Sequence, residues 1–229
     1  MSVHYDDLDI NRDIRLDLPL REGVGIITQD VAKPHHPVAL VGAPAWTTLD
    51  SYLGVLSLDG TEYGESPNAD TADLQPTSGD YSVGGWVYID TAGVDSQIMI
   101  GRWEEDVGGW ELYHYTNLLM TLRHHHAGGV AVRSGCYSAG WTYNTWHFLG
   151  LSRSGTTALW TRNGVELTNI GVLEDAEATT SDLVIGVRYT KNANYHTGMF
   201  WRYRYWGDRA LTQAEWAWIY EREVRWFLS

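Results

Sequence analysis

The sequence predicts an all-β protein, a two-sheet antiparallel jelly-roll sandwich with one short C-terminal helix. Three observations carry this expectation. Short apolar or alternating runs are cut throughout by Gly, Asn-Gly and Asp-Gly, the pattern of strands joined by tight turns. Thirteen such runs are too many for a small barrel and suit two facing sheets. Helical periodicity with a matching start signal occurs in one segment, near the C-terminus.

The elements follow in order. Residues 1–13 carry four Asp against one Arg and no apolar stretch, which reads as an acidic arm, either a solvated tail or one held by a partner subunit. Strands are expected at Ile14–Leu20, Val38–Val41, Val55–Leu58, Tyr81–Ile89, Gln97–Trp103, Trp110–Tyr115 and Leu118–His124. They continue at Gly129–Arg133, Trp146–Arg153, Thr157–Arg162, Val165–Leu167, Leu183–Val187 and Gly198–Trp206. Asn163-Gly164 between two strand runs is the strongest hairpin signal, because that turn needs positive φ at both central residues. Gly128-Gly129 marks a second turn. Thr212 and Glu215 form a capping box, and Trp216, Ile219, Tyr220, Val224 and Phe227 follow at helical spacing, giving a helix over 212–226 that packs on the sandwich. With no low-complexity linker or repeat, residues 14–229 count as one domain.

Composition narrows the function classes. The 229 residues carry a formal charge of −13, which argues against a nucleic-acid partner. The sixteen basic residues include only two Lys. One cysteine, Cys136, rules out an internal disulfide framework and a Cys-rich zinc site. No secretory leader and no apolar run long enough for a membrane span is present. Twelve Trp and fourteen Tyr against three Phe mean that most rings carry a polar edge, suited to contact surfaces.

Several segments, taken in order, resemble the laminin-G-like group of concanavalin A-like jelly rolls. Leu16-Asp17-Leu18-Pro19-Leu20-Arg21-Glu22-Gly23-Val24-Gly25 resembles that group's first strand, and Val55-Leu56-Ser57-Leu58-Asp59-Gly60 its "LxFDG" turn. Tyr81 to Val87 resembles "FTVSxWV", Thr145-Trp146-His147-Phe148 "xWHH", Leu159 to Gly164 "LYVNG", and Leu183 to Gly186 "LxIG". Gly198 to Leu211 with Glu215 resembles the closing strand and helix. Where relatives carry an acidic pair after Gly-x-Ile, this chain has Gly198-Met199-Phe200-Trp201-Arg202, which counts against a calcium site there. The resemblance implies the fold. That fold hosts lectins, glycan hydrolases, adhesion modules and virion proteins, so function must come from sites.

Candidate chemistry is then weighed residue by residue. Hydrolytic relatives place carboxylates as Glu-x-Asp-x-x-Glu on one strand. That run is absent, and Glu104-Glu105-Asp106 reads as a solvated turn. An enzyme would need Glu111, Glu166 or Glu174 to converge in a groove. On a strand, His124 and His126 share one face and His125 the other, so at most two could share an ion. Asp59, Asp70, Asp73, Asp80, Asp90 and Asp95 fall at turns, with Asp59 and Asp80 the calcium candidates; otherwise no cofactor is expected. No nucleophile elbow or phosphate loop occurs. Rings and Arg carry the lead: Trp46, Trp103, Trp141, Tyr143, Trp201, Arg202 and Trp206 are the candidate contacts for glycans or partner subunits. Strict alternation puts Trp201, Tyr203 and Tyr205 on one face and Phe200, Arg202, Arg204 and Trp206 on the other. Trp86 and Trp146 are expected to fill the gap between sheets. The reading that emerges is a non-catalytic binding or assembly module, by family analogy a phage or virus virion component that contacts neighbouring subunits, host glycans or both. A free lectin, or a glycoside hydrolase on the same fold, is the alternative.

Overall fold

The computed structural model describes residue 5 and residues 8–90, 96–129, 131–136 and 140–228. In chain order the strands are β1 (Ile14–Leu18), β2 (Ile27–Thr28), β3 (Val38–Val41), β4 (Ala45–Thr48), β5 (Gly54–Asp59), β6 (Tyr63–Ser66), β7 (Tyr81–Ile89), β8 (Gln97–Glu104) and β9 (Gly108–His114). They continue as β10 (Met120–His125), β11 (Ala131–Cys136), β12 (Trp146–Ser154), β13 (Thr157–Arg162), β14 (Val165–Leu167), β15 (Asn169–Ile170), β16 (Leu183–Ile185) and β17 (Thr197–Gly207). A short helix α1 (Asn68–Thr71) precedes the C-terminal helix α2 (Gln213–Glu223), which runs on as a 3-10 turn over Val224–Trp226.

Two antiparallel sheets face each other. An eight-stranded sheet has the order β14-β13-β12-β7-β17-β5-β4, with β1 also paired to β17. A nine-stranded sheet runs β15-β11-β10-β9-β8-β16-β6-β3-β2. Alternate residues of each strand, among them Val83, Val87, Trp110, Leu112, Leu122, Leu149, Leu151 and Tyr205, fill the space between them. The expected jelly roll is therefore present. All thirteen expected strands appear near their expected bounds, and Ile27–Thr28, Ala45–Thr48, Tyr63–Ser66 and Asn169–Ile170 add short strands that carry too few residues for a periodic signal. Asn163 and Gly164 both take positive φ, 51° and 75°, as the hairpin reading required.

A second apolar layer lies on the outer face of the eight-stranded sheet, under α2. Thr212 and Glu215 make both bonds of the capping box, which fixes where the helix starts. Trp216 then lies flat over Gly84 and Gly150, cross-strand partners on β7 and β12. A Cβ on Gly150 would fall 2.5 Å from Trp216 Cδ2, so the ring needs both glycines bare. Its indole N–H donates to Ser152 Oγ at 2.8 Å. Trp86 and Trp146 belong to this outer layer, where Trp86 stacks on Phe227 at 4.0 Å, and not between the sheets as expected. Glycines at 84 and 85 shift nothing in the alternation of β7; Val83 and Val87 already point inward, so Trp86 must point out.

β17 departs from simple alternation. A bulge between Trp201 and Arg204 inserts one extra residue, with Arg202 in the left-handed region at φ 53°. Phe200, Tyr203 and Tyr205 therefore point inward, while Trp201 and Trp206 join the outer layer. This corrects the expected grouping of Trp201 with Tyr203 and Tyr205. The bulge sits where β17 changes neighbours, pairing with β5 over Thr197–Phe200 and with β1 over Tyr203–Trp206.

The described part of the N-terminal arm folds back on its own chain. Trp206 Nε1 donates to the Ile10 carbonyl at 2.7 Å, Arg209 Nη1 to the Asp9 carbonyl at 2.6 Å, and the Tyr5 hydroxyl to Asp17 Oδ2 at 2.6 Å. Met1–His4, Asp6 and Asp7 lie outside the described residues, as do Val130 of one expected strand and Asp95 among the calcium candidates.

Candidate functional site

Alternation builds a cleft on the outer face of the nine-stranded sheet. Trp110 and Leu112 of β9, and Met120 and Leu122 of β10, point into the core. Glu111 and Tyr113, and Thr121, Arg123 and His125, must therefore point outward. Register sets Glu111 opposite Arg123 and Tyr113 opposite Thr121. Trp103 of β8, Tyr115 just beyond β9, and Arg188 and Asn194 of the loop before β17 complete a cleft of about 380 Å³. A shallower hollow lined by Asn117, Thr121 and Arg133 adjoins it, sharing Tyr115 and Thr116.

The charges in the cleft are paired. Glu111 Oε1 accepts from Arg123 Nη1 at 3.1 Å and from His125 Nε2 at 2.9 Å. Arg188 pairs with Glu105. Burial works against the Arg123 charge, but Glu111, Tyr113 and Tyr115 together more than offset it and hold the guanidinium's pKa above its ordinary value. Hydroxyls link the two hollows: Arg123 Nη2 donates to the Tyr113 hydroxyl, that hydroxyl donates to Tyr115 at 3.1 Å, and Arg133 Nη1 donates to Tyr115 at 2.9 Å. Burial and the bond to Tyr115 push the Tyr113 hydroxyl's pKa up, so it stays a neutral donor. Trp103 packs face to face on His125 at 4.4 Å and has Tyr189 at 4.5 Å, which leaves its ring 3% exposed. Its Nε1 is buried with no hydrogen-bond partner among the described residues.

Of the residues singled out from the sequence, Trp103 lines this cleft and Tyr143 reaches its rim, donating to the Thr116 carbonyl at 2.5 Å. Trp201, Arg202 and Trp206 line a separate groove beside α2, on the opposite face of the sandwich. Trp46 lies on β4, the edge strand of the eight-stranded sheet, and donates to the Gly25 carbonyl at 3.1 Å. Trp141 is enclosed: His147 packs edge-on at 5.1 Å and the Arg162 guanidinium lies 5.9 Å from its ring. Trp141 and Trp206, expected as contact rings, are both buried, Trp141 in the inter-sheet core and Trp206 in the layer under α2, where it borders that groove. The seven candidates do not form one site. Tyr113, Tyr115 and Arg123 are not among the contacts expected from the sequence, and Glu111 was expected only as a carboxylate of an enzyme, although the signal existed: 111, 113 and 115 share one face of a strand, as do 121, 123 and 125.

The metal candidates resolve into local roles. Asp59 Oδ1 accepts from Thr61 N at 3.0 Å and Thr61 Oγ1 at 2.7 Å, and Asp80 from Gly155 N at 3.1 Å and Ser154 Oγ at 3.2 Å, both closing turns. His124 points inward, with Nδ1 donating to the Glu174 carbonyl at 2.6 Å and Nε2 accepting from Tyr81 at 2.7 Å, while His125 points outward. Among the described residues, no three His, Cys, Asp or Glu are grouped to hold a metal ion, and no helix is long and apolar enough to cross a membrane. Of Glu111, Glu166 and Glu174, Glu111 alone lines the cleft, and Glu166 and Glu174 are exposed elsewhere.

Comparison with known proteins places these features in a family. The model of the concanavalin A-like lectin/glucanases superfamily matches residues 58–216. No curated protein sequence matches the chain. Among solved structures, the receptor-binding domain of botulinum neurotoxin D superposes with a TM-score of 0.73 at 14% identity, covering 94% of this chain and 54% of that one. The serotype D ligand-binding domain in complex with N-acetylneuraminic acid gives 0.71 at 13% identity, covering 93% and 52%. A type C toxin structure, from a toxin whose cell entry depends upon interaction with two ganglioside molecules, gives 0.70 at 12%, covering 93% and 52%. The chain spans about half the length of these binding domains, and at such identities the likeness is one of fold.

Proposed function

The chain belongs to the concanavalin A-like lectin/glucanases superfamily, and on that premise we propose that it is a non-catalytic saccharide-binding module whose contact surface is the outer face of β8 to β11. One observation carries the reading. A cleft on the sheet face is lined by two tyrosine hydroxyls, paired Arg–carboxylate groups and a buried indole N–H that has no partner among the described residues. Half-exposed Tyr115 offers a ring face to sugar C–H groups, while Tyr113, Arg123 and Asn194 offer donors and acceptors to hydroxyls. Because the local charges neutralise one another, the cleft favours a neutral, hydroxyl-rich ligand. That Glu111 is tied to both Arg123 and His125 supports binding over hydrolysis, which needs two carboxylates free to act across one bond. Fold neighbours that bind saccharides, one of them solved with the acidic sugar N-acetylneuraminic acid, lend support to a saccharide as ligand, while its neutrality rests on the paired charges alone. The expected place in a virion draws no such support from the fold or its neighbours.

A glycan array followed by calorimetry on the best neutral binder tests this. Tyr115→Ala and Arg123→Ala should each weaken binding about tenfold or more, given about 1–3 kcal/mol for a stacking or charged hydrogen-bonding contact. Absence of any binder on the array, or full affinity in both variants, refutes it.

A further inference from the structure

The opposite face of the sandwich holds a larger groove of about 960 Å³, floored by the bulged part of β17 and walled by the N-terminal arm, the Tyr52 turn and α2. Its residues are unlike those of the sheet-face cleft. Among the described residues, five Arg line it (Arg21, Arg202, Arg204, Arg222 and Arg225) against one carboxylate, Glu223. In a chain of net charge −13, a concentration of this sign is against the background.

The floor is a buried ionic network. Glu223 pairs with Arg204 and with Arg202, the latter at 3.2 Å, and also accepts from Trp86 Nε1 at 2.9 Å. Arg202 reaches Asp17 Oδ2 at 3.3 Å. The network leaves two donors over: Arg204 Nη1 and Trp201 Nε1 are buried without a hydrogen-bond partner among the described residues, and both residues, 4% and 3% exposed, line the groove. Buried donors without partners are costly, so a pair of them at one groove floor signals an acceptor that arrives from outside. The rim points the same way. Arg21, Arg222 and Arg225 are exposed and, among the described residues, have no carboxylate within ion-pair distance. Arg222 lies 3.5 Å from the Trp218 ring and Arg225 5.2 Å from Trp226, and both rings, with Tyr52 at 91%, are exposed.

We propose that this groove is a second ligand site, for a saccharide bearing a carboxylate or sulfate group. The acidic group pairs with the unpartnered guanidinium groups, which favour planar oxyanions, and the sugar's C–H face stacks on Trp218, Trp226 or Tyr52. The overall negative charge repels long polyanions, which favours a short ligand with one acidic group over a nucleic acid. Since the site lies on the other face and uses different residues, it stands or falls apart from the neutral-ligand reading of the sheet-face cleft.

The test is calorimetry of the full chain with N-acetylneuraminic acid, a glucuronate disaccharide and a sulfated disaccharide, against lactose as neutral probe, with hydrogen–deuterium exchange to locate binding. At least one acidic probe should bind ten times or more tightly than lactose, more weakly as salt rises, and should protect 213–223 but not 113–123. The exposed double variant Arg222→Gln/Arg225→Gln should lose tenfold or more of that affinity while keeping its thermal transition. Binding of no acidic probe, protection of 213–223 by lactose as strong as by the acidic probe, protection at 113–123 in place of 213–223, or unchanged affinity in the double variant each overturns the proposal. Failure of lactose alone to bind bears on the sheet-face cleft and leaves the groove's result intact.

Discussion

His36 makes the stability of the fold depend on pH in a direction the structure fixes. The ring is 3% exposed, with Nδ1 donating to Asp30 Oδ2 and Nε2 to Asp73 Oδ1, each at 2.8 Å. Asp30 is itself anchored by the backbone N–H groups of Asp17, Ala32 and His36. Burial alone would lower the His36 pKa. The two carboxylate bonds outweigh it and raise the value from 6.5 to about 9. A raised folded-state pKa contributes stability that is complete below 6.5, where both states are charged, and disappears as pH rises through about 9. With each pH unit worth about 1.4 kcal/mol, the full contribution is about 3 kcal/mol. Urea denaturation of the natural chain and of His36→Gln at intervals from pH 6 to pH 10 measures it. The stability gap between the two proteins should be largest near pH 6 and shrink by about 3 kcal/mol by pH 10, while groups common to both cancel. A gap that stays constant, or widens with pH, refutes the assignment of His36 as a buried imidazolium.

The remaining expectations concern other buried groups. Burial lowers the pKa of His114, His124 and His147 to about 4, so these rings fold neutral and stability is lost as pH falls from 6.5 towards 4; a urea midpoint that holds steady across that window refutes the reading. Gly150→Ala places a methyl 2.4 Å from Thr161 Oγ1 and 2.5 Å from Trp216 Cδ2. It should cost about 2–3 kcal/mol and lower the melting temperature by roughly 5 °C, read by calorimetry. Burial pushes the Cys136 thiol up to about 12. The native protein should therefore resist iodoacetamide, and the urea-unfolded chain should react at once.

What the sequence makes legible follows the range of each interaction. The capping box at Thr212 and Glu215 and the turn at Asn163-Gly164 are local devices, complete within a few residues, and both stand where their chemistry puts them. Long alternating runs such as Tyr81–Ile89 are legible because one face must be buried. β2 and β15, of two residues each, exist only through pairing, β2 with the following strand β3 and β15 with β11 far back in the chain. The candidate cleft has the same character. Rings and Arg signal recognition by type, but which of them share a surface depends on the register of β9 against β10, and that register brings Glu111 to Arg123. Trp103 joins them through β8, whereas Trp141, chosen on the same ground, is capped by His147 and Arg162.

The bulge in β17 shows how far one residue can move a functional surface. An unbroken strand would alternate through Trp201 to Trp206 and send Trp201 inward with Tyr203 and Tyr205. One extra residue reverses the phase, and it does so at Arg202, a residue type that carries no sequence signal for a left-handed conformation. Holding a non-glycine residue there costs about 1–2 kcal/mol. Contacts available only in that conformation offset the cost: the Arg202 N–H donates to the Pro19 carbonyl at 3.2 Å, and its guanidinium bridges Asp17 and Glu223. The reversal places Trp201, Arg202, Arg204 and Trp206 together beneath the C-terminal helix, where a regular strand would have split them between two faces. Strain of this kind persists where its surroundings over-determine it, and here they are the carboxylates of β1 and α2. The groove floor therefore rests on the bulge: deleting Arg202 would restore regular pairing with Trp201 still outward and Tyr203 still inward, and would remove from the floor the guanidinium that bridges Asp17 and Glu223.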